Sequence, residues 1–307
     1  MSVRRLFGAL LAVVALLAVV ALSASCGSGN AESNGETSIL PAFLPQRDNA
    51  DASTPRVPFS PATPRLVPRV VARLPHDTMA FTQGLILDHG RLLESTGLEG
   101  RSGVREVDRA TGRVLRRADL PSTEFGEGIA VIGGRLYQVT WKSHRGLVYD
   151  ARTFAPVDSF RYDGEGWGLT TDGAMLYLSD GTSSIRVIDP NGYRVVRTIR
   201  VTEAGQPVHM LNELEWVKGE LWANVYWTGL IARIDPASGR IVGWIDVRRL
   251  LSDADNKRLE PRGGVANGIA YDSSAAQLLV TGKYWPFVFQ LDIAAVRSSR
   301  AATAPRE

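Results

Sequence analysis

A five-fold internal repeat is the feature that most constrains the fold of this 307-residue chain. An apolar segment that closes on a leucine recurs after five anchor residues, which are spaced 44, 40, 45 and 55 residues apart: Gly84, Gly128, Gly168, Glu213 and Gly268. Repeats of this length with strand-like segments are typical of β-propellers, in which each repeat forms one four-stranded blade. The sequence therefore predicts an all-β fold, a five-bladed β-propeller whose inner strands surround one channel.

The second half of each repeat also follows one pattern. An alternating, strand-like segment ends on an aspartate, and the residues after it are typical of a hairpin turn. The five aspartates are Asp108, Asp150, Asp189, Asp235 and Asp292. Because an aspartate that opens a turn bonds to the backbone of that turn, we interpret this set as structural rather than catalytic.

The two ends of the repeat region indicate how the ring closes. The fifth repeat stops after the segment 287–293, one strand short of a full blade, whereas the segment 67–74 ahead of the first repeat reads as a lone strand. The simplest closure places this N-terminal strand as the outer strand of the last blade.

The start of the chain reads as an export signal. Two arginines precede an almost wholly apolar stretch over 6–22, and small residues then lead to Cys26, the only cysteine. The context Leu-Ser-Ala-Ser-Cys resembles a bacterial lipoprotein box, although Leu22 lies one position too far upstream. We expect a signal peptide over 1–25 and a lipidated Cys26 that anchors the exported chain to a membrane. An ordinary cleaved signal with an incidental cysteine, or a single-pass anchor, is the alternative.

Composition divides the rest of the chain. Residues 26–66 are rich in Gly, Ser, Asn, Pro and Ala, which predicts a disordered tether. Residues 67–297 form the predicted propeller, and 298–307 a disordered tail. The net charge is only +3 and the basic residues are scattered, so nucleic-acid binding is not expected. Nothing in the sequence indicates more than a monomer.

The residue before each anchor has the same place in every repeat and should lie at one height around the channel mouth. This ring consists of Gln83, Glu127, Trp167, Asn212 and Asn267. Buried polar groups cost free energy unless they are paired, so the ring predicts a site for a polar ligand, with a satisfied hydrogen-bond network as the alternative. Glu127 is its only acid, and burial beside aromatic rings would raise its pKa toward the range useful for acid and base catalysis.

Other features at the same end of the repeats fit a pocket. Aromatic residues collect there, and Lys283 could place a cation over it. The four histidines show no metal-ligand spacing, so no catalytic metal is predicted, although a structural ion in the central channel is left open.

An ordered set of short motifs carries a family resemblance over about 70–295. The motifs begin at Phe81 (FTQGL), Glu94 (ESTGL), Phe125 (FGEGI), Thr140 (TWK), Gly164 (GEGWGLT), Ser179 (SDG), Asn212 (NELEW), Ala223 (ANV), Asn267 (NGIAY) and Thr281 (TGKYW). Together they resemble the plant-type glutaminyl cyclases, or glutaminyl-peptide cyclotransferases, which also occur in bacteria. The resemblance implies a five-bladed propeller, in agreement with the repeat count.

The resemblance also implies a reaction and a site. The free α-amine of an N-terminal glutamine attacks the side-chain amide carbon, which gives pyroglutamate and ammonia, with no cofactor required. Glu127 is the candidate acid and base, and Lys283, Asn212 and Gln83 are the candidate donors to the oxyanion. The substrate-binding candidates are Phe81, Phe125, Trp141, Trp167, Tyr226, Trp227 and Asn267.

One departure from the family pattern concerns the pocket wall. Where the family usually has Ala-Asn-Val-Trp, this chain has Ala-Asn-Val-Tyr226 followed by Trp227, so either ring could fill the position. The expected substrates are peptides or proteins with an N-terminal glutamine, outside the cytoplasm. The rival hypotheses are a non-catalytic, peptide-binding propeller lipoprotein and a metal-dependent, lactonase-type propeller.

Overall fold

The structure, a computed structural model, describes residues 57–294, which contain five blades of four antiparallel strands each, and one short parallel strand extends the sheet of the fourth blade. The innermost strands of successive sheets contact one another in cyclic order, so that the fifth sheet packs against the first. The predicted five-bladed propeller is confirmed. The predicted signal peptide, Cys26 and the tail over 298–307 lie outside the described residues.

Each repeat supplies the strands of one blade, ordered from the channel outward. Two strands come before the first blade, β1 (Arg65–Leu66) and β2 (Arg69–Pro75). Blade 1 contains β3 (Thr82–Asp88), β4 (Arg91–Thr96), β5 (Gly103–Val107) and β6 (Val114–Asp119). Blade 2 contains β7 (Gly126–Ile132), β8 (Arg135–Thr140), β9 (Arg145–Asp150) and β10 (Pro156–Arg161). Blade 3 contains β11 (Leu169–Thr171), β12 (Leu176–Ser179), β13 (Ser184–Asp189) and β14 (Arg194–Arg200).

A small hairpin separates blade 3 from blade 4, and a helical insertion separates blade 4 from blade 5. The hairpin is β15 (Thr202–Glu203) and β16 (Gln206–Pro207). Blade 4 contains β17 (Leu211–Val217), β18 (Glu220–Val225), β19 (Leu230–Ile234) and β20 (Ile241–Asp246). The insertion forms α1 (Asp253–Leu259) and one 3-10 turn (Glu260–Arg262). Blade 5 contains β21 (Ala266–Asp272), β22 (Gln277–Gly282) and β23 (Phe287–Asp292). No helix in the part of the chain that the structure describes is long and apolar enough to cross a membrane.

The ring closes as the sequence predicts. Strand β2 pairs antiparallel with β23 and completes blade 5, with Val70 opposite Leu291 and Leu74 opposite Val288. A strand from the N-terminal side therefore joins the last blade, which ties the two ends of the propeller together.

Residues 57–66, which the sequence assigns to the tether over 26–66, contact the propeller. Strand β1 pairs parallel with β20 at the edge of blade 4. The Phe59 ring packs against Trp244 with centroids 5.4 Å apart, and the Ser60 N–H donates to Glu203 at 2.9 Å. Composition misplaced this boundary because a few apolar and polar residues in a Pro-rich segment suffice to bind an existing sheet edge.

The repeated aspartates have the structural role assigned to them. Asp235 accepts hydrogen bonds from the Ala237 N–H at 3.1 Å and the Ser238 hydroxyl at 2.6 Å, within its own hairpin turn. The aspartates of the other four repeats likewise bond to the backbone two or three residues further on. In blades 1 to 4 these bonds define the turn between the third and fourth strands, whereas Asp292 ends the third strand of blade 5, whose fourth strand is β2.

The glycine anchors mark where the inner strands come closest. A Cβ on Gly128 would lie 2.2 Å from the Leu169 nitrogen, and one on Gly168 would lie 2.1 Å from the Asn212 carbonyl oxygen. Since no side chain fits there, glycine is required for the inner strands of blades 2, 3 and 4 to pack.

The anchor of blade 4 is Glu213 instead of glycine, and its side chain crosses to other blades. Its Oε1 accepts the Leu85 N–H of blade 1 at 3.1 Å, and its carboxyl group also accepts the Ile269 N–H of blade 5. Glu215, two residues on, accepts the Tyr271 N–H at 2.8 Å. Burial raises the pKa of Glu215 to about 8 and that of Glu213 well above its usual value. Both side chains join blades through hydrogen bonds from backbone N–H groups.

Candidate active site

Nine of the eleven candidate catalytic and substrate-binding residues line one pocket at the mouth of the channel. They are Phe81, Gln83, Phe125, Glu127, Trp141, Trp167, Asn212, Tyr226 and Lys283. Of the other two, Asn267 lies behind the pocket and Trp227 lies beside it.

A shared irregularity places the ring residues. The pairing register shifts at the start of the innermost strand in four blades, at residues 82–84, 126–129, 211–214 and 266–269. A β-bulge leaves a residue unpaired and turns its side chain away from the regular alternation. The bulges coincide with Gln83, Glu127, Asn212 and Asn267, which explains why residues equivalent in sequence come to one level of the channel.

Glu127 is the acid of the pocket, and it is buried with no salt bridge to any residue that the structure describes. Its side chain is 5% exposed, and its Oε1 accepts a hydrogen bond from Gln83 Nε2 at 2.9 Å. Burial raises the pKa of Glu127 well above its ordinary value, and the Lys283 charge offsets only part of this rise. Burial therefore favours the neutral form of Glu127, which can donate a proton.

Gln83 and Asn267 form a relay that fixes Glu127 from behind. Asn267 Nδ2 donates to Gln83 Oε1 at 2.9 Å and to the Thr82 carbonyl at 3.0 Å. The Gln83 amide oxygen is thereby occupied, so its nitrogen must face the Glu127 carboxyl group. Asn267 thus orients Gln83 and does not touch the pocket itself.

Lys283 places a cation in an aromatic and largely apolar environment. Its Nζ lies 4.3 Å from the centroid of the Phe81 ring and 4.7 Å from that of Tyr226, and it forms no hydrogen bond with a described residue. Burial lowers the pKa of Lys283 to about 8, although the neighbouring Glu127 acts in the opposite direction. Its ammonium group is available to a ligand oxygen.

Asn212 presents an amide to the pocket. Asn212 is 3% exposed, and its buried Oδ1 has no hydrogen-bond partner among residues 57–294. A buried acceptor of this kind costs free energy unless a ligand or water satisfies it. The carboxamide of a bound ligand could pair with it.

Aromatic rings form the walls of the pocket. Phe125 packs edge-to-face with Phe81 at 6.0 Å and with Trp141 at 5.5 Å between centroids. Trp167 and Tyr226 form a second edge-to-face pair at 5.8 Å. Gly97 permits this arrangement, because a Cβ there would lie 2.3 Å from the Phe125 ring.

The structure places Tyr226, rather than Trp227, at the uncertain wall position. Trp227 has a left-handed backbone, with φ of 67°, which turns its ring toward a separate cleft beside Val265 and Trp285. Tyr226 and Trp227 are themselves in contact, with centroids 5.2 Å apart.

Sequence reasoning missed Glu165, which lies against two of the walls. Its Oε2 accepts the indole N–H of Trp141 at 2.7 Å and that of Trp167 at 2.8 Å. The available signal was its place in the Gly164-Glu-Gly-Trp motif, two residues before a ring position.

A second buried carboxylate, Glu94, belongs to an ion cluster outside the pocket. It lies 3.0 Å from His76 Nε2 and 2.8 Å from Arg105 Nη2, while His76 Nδ1 lies 2.7 Å from the Trp285 carbonyl oxygen. The Thr281 hydroxyl also lies 3.3 Å from His76 Nδ1. Burial lowers the pKa of His76, but the Glu94 charge and the hydrogen bonds to Glu94 and to the Trp285 carbonyl oxygen outweigh it, so that the pKa is raised and the charged imidazole is favoured. Burial opposes ionisation of Glu94, but His76 and Arg105 outweigh it and lower the pKa of Glu94 to about 2.

Among residues 57–294, no group of three or more His, Cys, Asp or Glu side chains is arranged to hold a metal ion. The pocket combines an acid of raised pKa, a cation, a carboxamide oxygen without a partner among the described residues, and aromatic walls. Such a site can bind an uncharged amide, stabilise negative charge on its oxygen and move a proton.

Comparisons with known proteins agree with this chemistry. The family model described as glutamine cyclotransferase matches residues 44–293. A glutaminyl-peptide cyclotransferase from Arabidopsis thaliana is 45% identical over 229 residues, which cover 73% of this chain and 70% of that protein. The crystal structure of Myxococcus xanthus glutaminyl cyclase matches with a TM-score of 0.68 at 32% identity, over 75% of this chain and 97% of that one.

Proposed function

We propose that Glu127 is the group that moves the proton in the reaction of this enzyme. The chain belongs to the glutamine cyclotransferase family and is a glutaminyl-peptide cyclotransferase. The reaction converts an N-terminal glutamine into pyroglutamate and releases ammonia. The observation that carries the proposal is the burial of Glu127 at the pocket, bonded to Gln83 and kept neutral by desolvation.

The substrate side chain enters between the aromatic walls and pairs with Asn212. The Asn212 amide matches the glutamine carboxamide in hydrogen-bonding capacity, and its buried Oδ1 lacks a partner that the substrate NH₂ supplies. The surrounding rings exclude water and restrict the flexible chain, which brings the α-amine to the amide carbon.

In the chemical step, one carboxyl group both donates a proton and takes one back. The neutral amine attacks the amide carbon, a C–N bond forms, and the carbonyl electron pair moves to oxygen. Glu127 gives its proton to the departing nitrogen and recovers one from the attacking nitrogen as the C–N bond to the leaving group breaks. The products are the lactam and NH₃, and Glu127 ends protonated as it began.

Lys283 is the oxyanion donor in this scheme. Its ammonium group has no acceptor among the described residues and lies against rings that strengthen its field by keeping water away. Gln83, in contrast, is used to hold Glu127.

The test compares two carboxyl groups whose pKa values desolvation raises. Glu127→Gln is expected to lower kcat for a glutamine-initiated peptide by about 10²-fold or more, because an amide cannot relay the proton. The matched control is Glu215→Gln, which replaces a half-buried acid of raised pKa on an inner strand but outside the pocket. Mass spectrometry follows the loss of ammonia, with EDTA present to test whether a metal is required. Equal rates for wild type and Glu127→Gln, with both folded, would remove Glu127 from the mechanism.

The setting of the reaction is a further part of the proposal. The apolar stretch over 6–22 and the small residues before Cys26 support export and lipid anchoring, so that a monomer acts on exported peptides and proteins that begin with glutamine. Cell fractionation and mass analysis of the mature N-terminus test this, with Cys26→Ser as the control. A mature chain without a lipid on Cys26 contradicts the anchor.

A further inference from the structure

Glu165 stands beside the pocket in an arrangement that catalysis by Glu127 does not explain. One oxygen, Oε2, accepts both indole N–H groups, from Trp141 at 2.7 Å and from Trp167 at 2.8 Å. These two indoles are walls of the pocket. A carboxyl group is thus fixed between the polar edges of two substrate-contacting rings.

The other carboxyl oxygen of Glu165 is left over. Oε1 accepts no hydrogen bond from a described residue and is not a buried atom, and the side chain as a whole is half-buried. The charge of Glu165 also acts on Glu127, whose pKa it helps to raise. Oε1 is therefore an accessible acceptor close to the reacting acid.

The backbone around Glu165 is held in place, which preorganises this acceptor. Arg186 Nη2 donates to the Glu165 carbonyl oxygen at 2.7 Å, and Arg186 Nη1 donates to that of Asp163. Lys142 contacts one wall of the pocket, with its Nζ 3.8 Å from the centroid of the Trp141 ring. None of the salt bridges among residues 57–294 involves Glu165, so its carboxyl group has no cationic side chain as a partner there.

We propose that Glu165 binds the free α-amino group of the substrate, with Oε2 fixed by the two indoles and Oε1 accepting from the amine. This inference rests on the proposed function, because it assumes that the glutamine side chain fills the pocket. A primary amine is the ligand group that matches a fixed, accessible carboxylate oxygen. Glu165 would then restrict the enzyme to chains with an unblocked N-terminus.

The experiment uses two unreactive peptides that differ only in the amine. A norleucyl-initiated peptide carries an apolar side chain and an α-amine, whereas its hexanoyl-initiated counterpart lacks the amine. Calorimetry measures both affinities near pH 6.5, where a terminal amine of pKa about 7.7–8.0 is protonated. The variants are Glu165→Gln and, as a matched control, Glu99→Gln, which removes an exposed carboxylate from the loop after β4.

The wild-type protein and Glu99→Gln are expected to bind the amine-bearing peptide about tenfold more tightly or better, the size of a hydrogen bond to a charged group. Glu165→Gln should abolish this preference and leave the affinity for the hexanoyl peptide within about threefold of the wild-type value. The proposal is overturned if wild type binds both peptides with equal affinity, or if Glu165→Gln keeps the preference for the amine-bearing peptide. It is also overturned if Glu165→Gln lowers the affinity for both peptides equally, because Glu165 would then only support the indoles. Because neither peptide can cyclise, these outcomes are independent of the Glu127→Gln rate test.

Discussion

Two glutamates of this propeller are both buried, and yet their pKa values shift in opposite directions. Glu94 is 1% exposed and Glu127 is 5% exposed. Glu94 has His76, Arg105 and the Thr82 hydroxyl as partners, and its pKa falls to about 2. Glu127 has one amide donor from Gln83, and its pKa rises well above the ordinary value.

The difference shows that burial alone does not decide what a carboxyl group does. Desolvation raises the pKa of both groups, and only the number of compensating charges and donors separates them. A fully paired carboxylate such as Glu94 holds elements together, here the end of the closing strand and blade 1. An underpaired acid such as Glu127 costs stability and gains the ability to exchange a proton.

The largest expected effect on stability comes from breaking the paired cluster. Glu94→Gln should lower the free energy of unfolding by about 3 kcal/mol, because it leaves His76 and Arg105 buried without their shared carboxylate. Glu127→Gln, which exchanges one neutral group for another of the same shape, should change it by less than about 1 kcal/mol. Urea unfolding at pH 7 measures both, and equal losses would mean that the two glutamates are paired alike.

The same comparison has a pH signature. A carboxyl group whose pKa is lowered on folding stabilises the protein above its unfolded pKa of 4.5 and loses this contribution as the pH falls toward 2. Wild type should therefore lose stability through that range more steeply than Glu94→Gln does. Parallel acid-unfolding curves would contradict an ionised Glu94.

A second comparison concerns two buried cations: Arg105 has carboxylates as partners, whereas Lys283 has no salt bridge with a described residue. Arg105 bonds directly to Glu94 and Asp77, whereas Lys283 lies against aromatic rings. Lys283→Met should lower kcat by about 10²-fold, as loss of an oxyanion donor does, without lowering the free energy of unfolding. Steady-state kinetics and urea unfolding of the same preparation test this. A destabilised variant with a normal kcat per folded molecule would mean that Lys283 supports the fold and is not the oxyanion donor.

The smallest effect is expected at the exposed ends of the blades. Asp235→Ala removes the turn bonds to Ala237 and Ser238 and should lower the free energy of unfolding by about 1 kcal/mol. Its kcat and KM should equal those of wild type, because the turn is remote from the reacting groups. A changed kcat would show that the repeated aspartates are more than turn residues.

The sequence predicted the parts of this molecule that repeat. Five equivalent segments gave the blades, and the residue before each anchor gave Gln83, Glu127 and Asn212, because each lies at the same bulge of an inner strand. The closing strand followed from a blade one strand short.

What did not repeat could not be predicted in the same way. Asn267 shares the ring position, yet its side chain bonds to Gln83 and lies behind the pocket. Whether an amide at this position faces the pocket depends on which neighbouring side chain it contacts, and the sequence does not show this. Glu165 precedes a ring position by two residues, and only the fold shows both indole nitrogens converging on it. The sequence left Tyr226 and Trp227 as alternatives for one wall position, because the left-handed backbone of Trp227 is not visible in the sequence.

The protonation state of Glu127 in the ligand-free protein tests the central claim most directly. Infrared difference spectra of wild type minus Glu127→Gln, recorded across a pH titration, isolate the signal of this one carboxyl group. We predict the carbonyl band of a neutral carboxylic acid at pH 7, because burial raises the pKa of Glu127 well above 4.5. A carboxylate band at pH 7 that converts to the acid only near pH 4.5 would contradict the account.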